Sequence, residues 1–180
     1  MTHPATELPD WAQVSEPRRA HIARVVTLIR RWAVALSLPE AEAAAWNDAA
    51  KWHDALRDAP EETLRNLTGD RAGSGELLHG PAAATLLERS GERRSDVLDA
   101  IRHHTVGSPV WSRTGRALFM ADFLEPGRAF DRSRRAALAR QVPSDFDGVF
   151  REVVRMRIAW ALREGRALFP QTVALWNAVR

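Results

Sequence analysis

The chemistry of this chain is concentrated in two adjacent residues, His53 and Asp54, and four others spaced far from them. His21 precedes the pair, and His79, His104 and Asp122 follow, giving an H…HD…H…H…D series that uses four of the six histidines. Cysteine is absent, so any metal ion must be held through nitrogen and oxygen. An all His/Asp donor set suits iron, manganese or zinc. Neighbours on a helix point about 100° apart, so His53 is set to face one ion while Asp54 leans between two. The pair therefore favours two metals over one. Two ions about 3.5–4 Å apart can share a hydroxide, lower its pKa and neutralise phosphoryl oxygens. The chemistry implied is that of a binuclear metal phosphohydrolase.

These residues need helices to bring them together, and the apolar spacing predicts an all-α chain. A first helix starts near Ser15, with Pro17 in its first turn, and carries Ile22, Val25, Val26, Ile29, Trp32, Ala33 and Leu36 as one stripe. His21 lies about 40° from Val25 in helical phase, inside that stripe. Ser37-Leu38-Pro39-Glu40 reads as a capping box opening a second, Ala-rich helix that reaches His53 and Asp54 in its last turns. A short helix is expected around 61–67. The loop from Thr68 to Gly75 is the best candidate for a lid, and Pro81 is expected near the first turn of the helix after it, placing His79 at a helix start.

Ser95 is expected to cap a helix ending in His103-His104. His104 lies about 60° from Ile101 and His103 about 160° from it, so His104 is the inward one. Residues 117–124 are apolar on every side except for Asp122, as in a buried helix. A buried carboxylate is expensive unless paired or metal-bound. Two further helices, over 144–165 and from Pro170 onward, look structural. Asp99 and Thr105 fit helix-end roles.

Composition narrows the functional classes. The 180 residues are 45% hydrophobic and 27% charged, which fits one globular domain over 15–180 with residues 1–14, His3 included, as a flexible N-terminus. No apolar run of membrane-spanning length occurs, and the start of the chain lacks a signal-peptide pattern, so a cytoplasmic location is expected. Net charge is only +3. Of the 26 basic residues all but Lys51 are Arg, and Tyr and Cys are absent, so a small excess carries the isoelectric point to about 10.7. Short clusters such as Arg18-Arg19, Arg30-Arg31, Arg93-Arg94 and Arg134-Arg135 read as solvated faces, and nucleic acid is not an expected partner. Arg does match phosphate geometry. Arg57, Arg102 and Arg128 are the candidate phosphate clamps, with Arg18, about 20° from Val25 in phase, as a fourth. Trp111 is the one candidate for stacking on a base, since Trp32, Trp52 and Trp160 sit at core-like phases.

The order and spacing of the six residues are similar to those of the HD-domain metal-dependent phosphohydrolases. Leu78-His79-Gly80-Pro81, Ala100-Ile101-Arg102-His103-His104-Thr105, Ala121-Asp122-Phe123-Leu124-Glu125-Pro126-Gly127-Arg128 and Phe169-Pro170-Gln171-Thr172 narrow the resemblance to the YqeK-type family of symmetrical diadenosine tetraphosphate hydrolases. That resemblance covers about 18–177. It implies a single all-helical HD bundle around two metals, commonly iron. His21, His53, Asp54 and Asp122 would hold one ion, and Asp54 would bridge to a second completed by His79 and His104. It implies cleavage to two ADP by a metal-bridging hydroxide, with a dinucleoside polyphosphate as the partner. His103 stands where the family usually has Tyr, and Arg57 where it usually has Lys. The alternatives are an HD-domain nucleotidase acting on another nucleotide and a non-catalytic nucleotide sensor.

Overall fold

The computed structural model describes residues 8–180, and the described residues form nine α-helices and no strand. They are α1 (Glu16–Ala35), α2 (Glu40–Trp52), α3 (Glu61–Thr68), α4 (Gly75–Arg89), α5 (Ser95–His103), α6 (Arg113–Leu124), α7 (Arg132–Gln141), α8 (Phe146–Arg163) and α9 (Pro170–Val179). His3 lies outside the described residues. No helix among them is long and apolar enough to cross a membrane.

The bundle is built around α6. Every residue from Ala117 to Leu124 is buried, Asp122 included, because this helix has no polar face to offer water. It packs against α1, α2, α5, α7 and α8. The stripe on α1 turns inward as its spacing predicts, with Ile22, Val25, Val26, Ile29 and Trp32 buried. Trp32 then ties α1 to α7 by donating Nε1–H to the Ala139 carbonyl at 2.8 Å. Small side chains at Ala45, Ala49 and Ala50 let α2 lie close to its neighbours.

Several helix ends differ from the sequence expectations. Ser37 makes no capping box. It adopts φ of +50° in the turn after α1, and α2 is entered through Pro39 with no side-chain cap. α2 also stops at Trp52. His53 is its C-cap, and Asp54 falls in the following turn, where the Ala55 N–H bonds back to the Trp52 carbonyl. Such i to i−3 bonds tighten the last turn, so Asp54 does not follow the regular 100° spacing. Pro81 lies in the middle of α4, not in its first turn, because the helix already begins at Gly75 after Ser74. His79 is therefore a helix-interior residue. Residues 8–14, expected in a loose terminus, are tied to the body. Gln13 and Ala55 bond backbone to backbone at 2.8 Å, and Leu8, Trp11 and Val14 pack against the core.

Two features hold the site's surroundings. Gly80 on α4 has no side chain to collide with the Ile101 carbonyl, which a Cβ would meet at 2.6 Å, or with the His104 ring at 3.1 Å. This close approach of α4 and α5 sets His79 beside His104. Arg135, read as part of a solvated cluster, is instead buried at 1% exposure. It donates to the carbonyls of Phe123, Glu125, Arg128 and Phe130, clamping the segment that follows α6.

Candidate metal centre

Six residues from five places in the chain meet at one point: His21 from α1, His53 and Asp54 from the end of α2, His79 from α4, His104 at the end of α5 and Asp122 from α6. All six are buried. Each imidazole is anchored by its Nδ1. That of His53 faces the Ala50 carbonyl at 2.8 Å, that of His104 the Ile101 carbonyl at 2.7 Å and that of His79 the Gly75 carbonyl at 3.2 Å. In His21 the partner is Glu125 Oε1, at 3.2 Å. Carbonyl and carboxylate oxygens accept, so each Nδ1 carries the hydrogen. All four Nε2 atoms are then aimed inward, the arrangement by which outer partners fix metal-ligating histidines.

The two oxygens of Asp54 divide those four nitrogens. Oδ1 stands 3.0 Å from His79 Nε2 and 3.4 Å from His104 Nε2. Oδ2 stands 3.5 Å from His53 Nε2 and 3.7 Å from His21 Nε2. Asp122 Oδ1 joins the second set, 3.1 Å from His21 Nε2. The donors thus fall into two groups, His21 with His53 and Asp122, and Asp54 with His79 and His104, each with its ligand atoms within 4.8 Å of one another.

The donor set fits metal ions. His79 Nε2 and His104 Nε2 approach to 2.9 Å. With both Nδ1 atoms protonated, two lone pairs face each other, an arrangement that calls for a cation between them. His21 Nε2 and His53 Nε2 are buried without hydrogen-bond partners, which is costly unless something occupies them. Nitrogen and carboxylate oxygen suit zinc, iron or manganese.

Electrostatics push the carboxylates fully into their charged form. Burial would raise Asp54, yet His53, His104 and His79 hold it well below the usual carboxylate range. Burial likewise opposes the ionisation of Asp122 and is outweighed, chiefly by Arg128 and His21. Burial lowers His53 to about 4. For His21 burial is overcome by Asp122 and Glu125, which raise it to about 9.

A cavity of about 330 Å³ opens over the centre and is lined by Asp54, His79, His104, Asp122 and four arginines. Arg18 donates to Asp54 Oδ2 at 2.7 Å. Arg128 donates to Asp122 twice, to Oδ1 at 2.6 Å and to the carbonyl at 2.9 Å. Arg57 also lines the cavity. Arg102 does not: it pairs with Glu88 and Asp99 away from the centre. His103 is equally remote, with its Nδ1 on the Asp99 carbonyl. Trp111 is no stacking platform, since it is buried against Phe119 and bonds the Asp99 carbonyl. The loop from Thr68 to Gly75, the expected lid, does not line the cavity.

Sequence reasoning missed three residues. Glu125 is 1% exposed and joins His21 Nδ1, Arg24 Nε at 2.6 Å and the Gly127 N–H at 2.6 Å. Its only signal was its place in the segment after Asp122. Arg157 on α8 is the fourth arginine. Its guanidinium lies 4.1 Å from the centre of the Phe119 ring, and Nη1 is buried without a hydrogen bond, in a long ion pair 3.9 Å from Asp122 Oδ2. The signal was legible, for Arg157 falls three and four residues after Val154 and Val153, on the buried face of α8. Trp160, expected in the core, is 41% exposed and lines the cavity.

A helical bundle with this series converging on paired donor groups is an HD-type metal hydrolase, and sequence comparison agrees. A family model described as the HD domain matches residues 18–132. The symmetrical bis(5'-nucleosyl)-tetraphosphatase of Halalkalibacterium halodurans is 30% identical over 137 residues, covering 72% of each chain. The protein of the same name from Bacillus subtilis is 28% identical over 140 residues, covering 72% of this chain and 73% of that one. The fold also matches a crystal structure of a "predicted HD superfamily hydrolase involved in NAD metabolism" from Clostridium acetobutylicum. The TM-score is 0.78 at 24% identity, over 92% of this chain and 90% of that one. The chain belongs to the HD-domain family of hydrolases, within its YqeK-type branch.

Proposed function

We propose that this hydrolase cleaves diadenosine tetraphosphate symmetrically into two ADP, with His21, His53, Asp54, His79, His104 and Asp122 holding two metal ions. The observation that carries this reading is the common anchoring of four imidazoles, whose Nε2 atoms divide between the two oxygens of Asp54 beneath a four-arginine cavity. The names of the relatives supply the substrate. Two are symmetrical tetraphosphatases, and a third, from Mycoplasma pneumoniae, is named a probable nicotinate-nucleotide adenylyltransferase/Ap4A hydrolase.

Bound metal ions would supply Lewis acidity and make water nucleophilic near neutral pH. We take iron as the first candidate, with manganese or zinc next. The chain's own residues do the rest. Asp54 and Asp122 stay ionised at neutral pH, so they are ready to act as ligands without first losing protons. Arg18, Arg57, Arg128 and Arg157 surround the space above them and match the oxygens of a polyphosphate, whose charge would otherwise repel the two carboxylates. The reaction forms one bond from the oxygen of water to an inner phosphorus. It breaks the bond from that phosphorus to the oxygen it shares with the other inner phosphorus, so one ADP leaves with the bridging oxygen, the other carries the new oxygen, and the water's protons pass to solvent. No side chain need act as the nucleophile.

Product analysis tests the reading. The protein is loaded in turn with iron, manganese or zinc and incubated with diadenosine tetraphosphate. ADP as the sole nucleotide product supports it. AMP with ATP overturns symmetrical cleavage. No turnover with any of the ions moves the substrate to another nucleotide, with Arg57 in place of the family's Lys as the first suspect.

A further inference from the structure

A cavity of about 430 Å³ lies between α1, α7 and the segment after α6, and it shares no lining residue with the cavity over the metal centre. From α1 it is lined by Leu28, Arg31, Trp32 and Ala35, the i, i+3, i+4, i+7 spacing of one helix face. Arg132, Arg135, Ala136, Ala139 and Arg140 continue the same spacing on α7, and Leu124 closes the floor. The bond from Trp32 Nε1 to the Ala139 carbonyl fixes the two walls relative to each other.

The charge of this cavity is one-sided, for four arginines line it and no carboxylate does. Two arginine pairs that look like solvated faces in the sequence divide here. Arg30 turns away to Asn47 and Arg134 to Glu152, while Arg31 and Arg135 line the cavity. Arg31, Arg132 and Arg140 are exposed and make no ion pair among the described residues.

Arg135 is the sharper case. It is 1% exposed, and every bond it makes goes to a neutral carbonyl. Those four bonds use four of its guanidinium N–H groups and leave one on Nη2. No carboxylate among the described residues hydrogen-bonds to it, and burial pushes its pKa below the usual arginine value. A buried charge is costly unless an opposite charge meets it. The cavity that Arg135 lines is where a ligand can bring one.

We infer that this cavity binds a compact amphipathic carboxylate, its acyl chain lying on Leu28, Trp32 and Leu124 and its head group supplying the counter-charge for Arg135 and the neighbouring arginines. Leu28 to Ala35 spans about 10 Å along α1, room for a medium-length chain. Guanidinium and carboxylate match in geometry. The volume and the apolar lining with a few polar groups are those of a small-molecule site. The inference does not depend on the substrate assigned to the metal centre.

Octanoate is the probe, titrated calorimetrically into the manganese-loaded protein beside acetate, octanol and inorganic phosphate. Octanoate binds. Acetate is weaker by about 100-fold or more for want of buried methylenes, and octanol by about 10-fold or more for want of charge. The double variant Arg31→Ala/Arg132→Ala removes two exposed, unpaired side chains, so it keeps the wild-type melting temperature and weakens octanoate about 10-fold or more. Ala136→Trp fills the groove from an exposed position on α7 and abolishes binding. A carboxylate captured by the metal centre instead would ignore both variants. Octanoate affinity unchanged in both, or octanol or phosphate binding as tightly as octanoate, overturns the proposal. So does a dimer in solution that Ala136→Trp dissociates, which would make a second copy of the chain the occupant.

Discussion

Arg18 Nη1 donates to Asp54 Oδ2 at 2.7 Å, the same oxygen that faces His21 and His53. The guanidinium therefore touches both the proposed bridging ligand and the space where a phosphate would lie. Arg18→Ala is expected to lower kcat/KM by about 10- to 100-fold, the range for losing one hydrogen bond between charged groups. Metal content should hold at the wild-type ratio. Steady-state kinetics beside elemental analysis checks this, and an inactive variant lacking both metals would show that Arg18 acts by positioning Asp54 alone.

Glu125 is the orienting partner of His21. Glu125→Ala frees the imidazole to rotate and leaves Arg24 unpaired, so the affinity of the ion on the His21 side should fall about 10- to 100-fold, the usual cost of losing an outer partner. The ion on the His79–His104 side should be retained. Metal titration showing one weakened and one unchanged site supports the assignment; two unchanged sites would refute it.

Acid and alkali should destabilise the metal-free protein for opposite reasons. The folded-state pKa of His53 is depressed to about 4. Below its ordinary value of about 6.5 the unfolded chain takes a proton that the folded one refuses, so stability falls as pH drops toward 4. For His21 the folded value is raised to about 9. Its contribution is fully present below about 6.5 and is lost as pH rises through 9. Melting temperature of the chelator-treated protein should therefore peak between these limits. Metal binding near pH 7.5 should also release a proton from His21, seen as calorimetric heats that vary with buffer ionisation enthalpy. Heats independent of buffer would contradict the raised value.

Arg135→Met should destabilise the fold by about 3 kcal/mol, the scale for leaving buried acceptors without their donor. The carbonyls of Phe123, Glu125, Arg128 and Phe130 lose their shared partner. That segment also presents Arg128, so kcat/KM should fall with stability. Thermal denaturation unchanged from wild type would mean the clamp contributes nothing.

Among the arginines and histidines, position predicts contrast. Arg57→Ala should weaken a polyphosphate substrate by about 10-fold, on the scale of a lost charged hydrogen bond, whereas Arg102→Ala should leave kcat/KM within about 2-fold because its partners are surface carboxylates. His103→Ala should behave like Arg102→Ala, and His104→Ala should lose metal. Parallel assays of the four variants decide it, and a dead His103 variant beside an active His104 variant would reverse the assignment.

Much of this protein was determined locally and could be read from its sequence. Apolar stripes with a 3.6-residue period dictate α1, and an apolar segment interrupted only by Asp122 dictates the buried α6. Helical phase alone separates His104 from His103, because the two side chains of one short helix must point apart. The six metal-ligand candidates carried their signal as polar groups on otherwise apolar faces, where water cannot pay for them.

Other features depend on contacts between residues far apart in the chain, which periodicity does not encode. Asp54 reaches two groups because the turn after Trp52 tightens, and His79 meets His104 because Gly80 admits the backbone of α5. Arg135 looks like a surface charge until the end of α6 folds around it, and Arg102 looks like a clamp until Glu88 and Asp99 claim it. Trp160 and Trp111 exchange their expected places for the same reason. A helix shows which of its faces is apolar, but only the packing of α8, α9 and α6 decides which aromatic ring is covered and which is left open to the cleft.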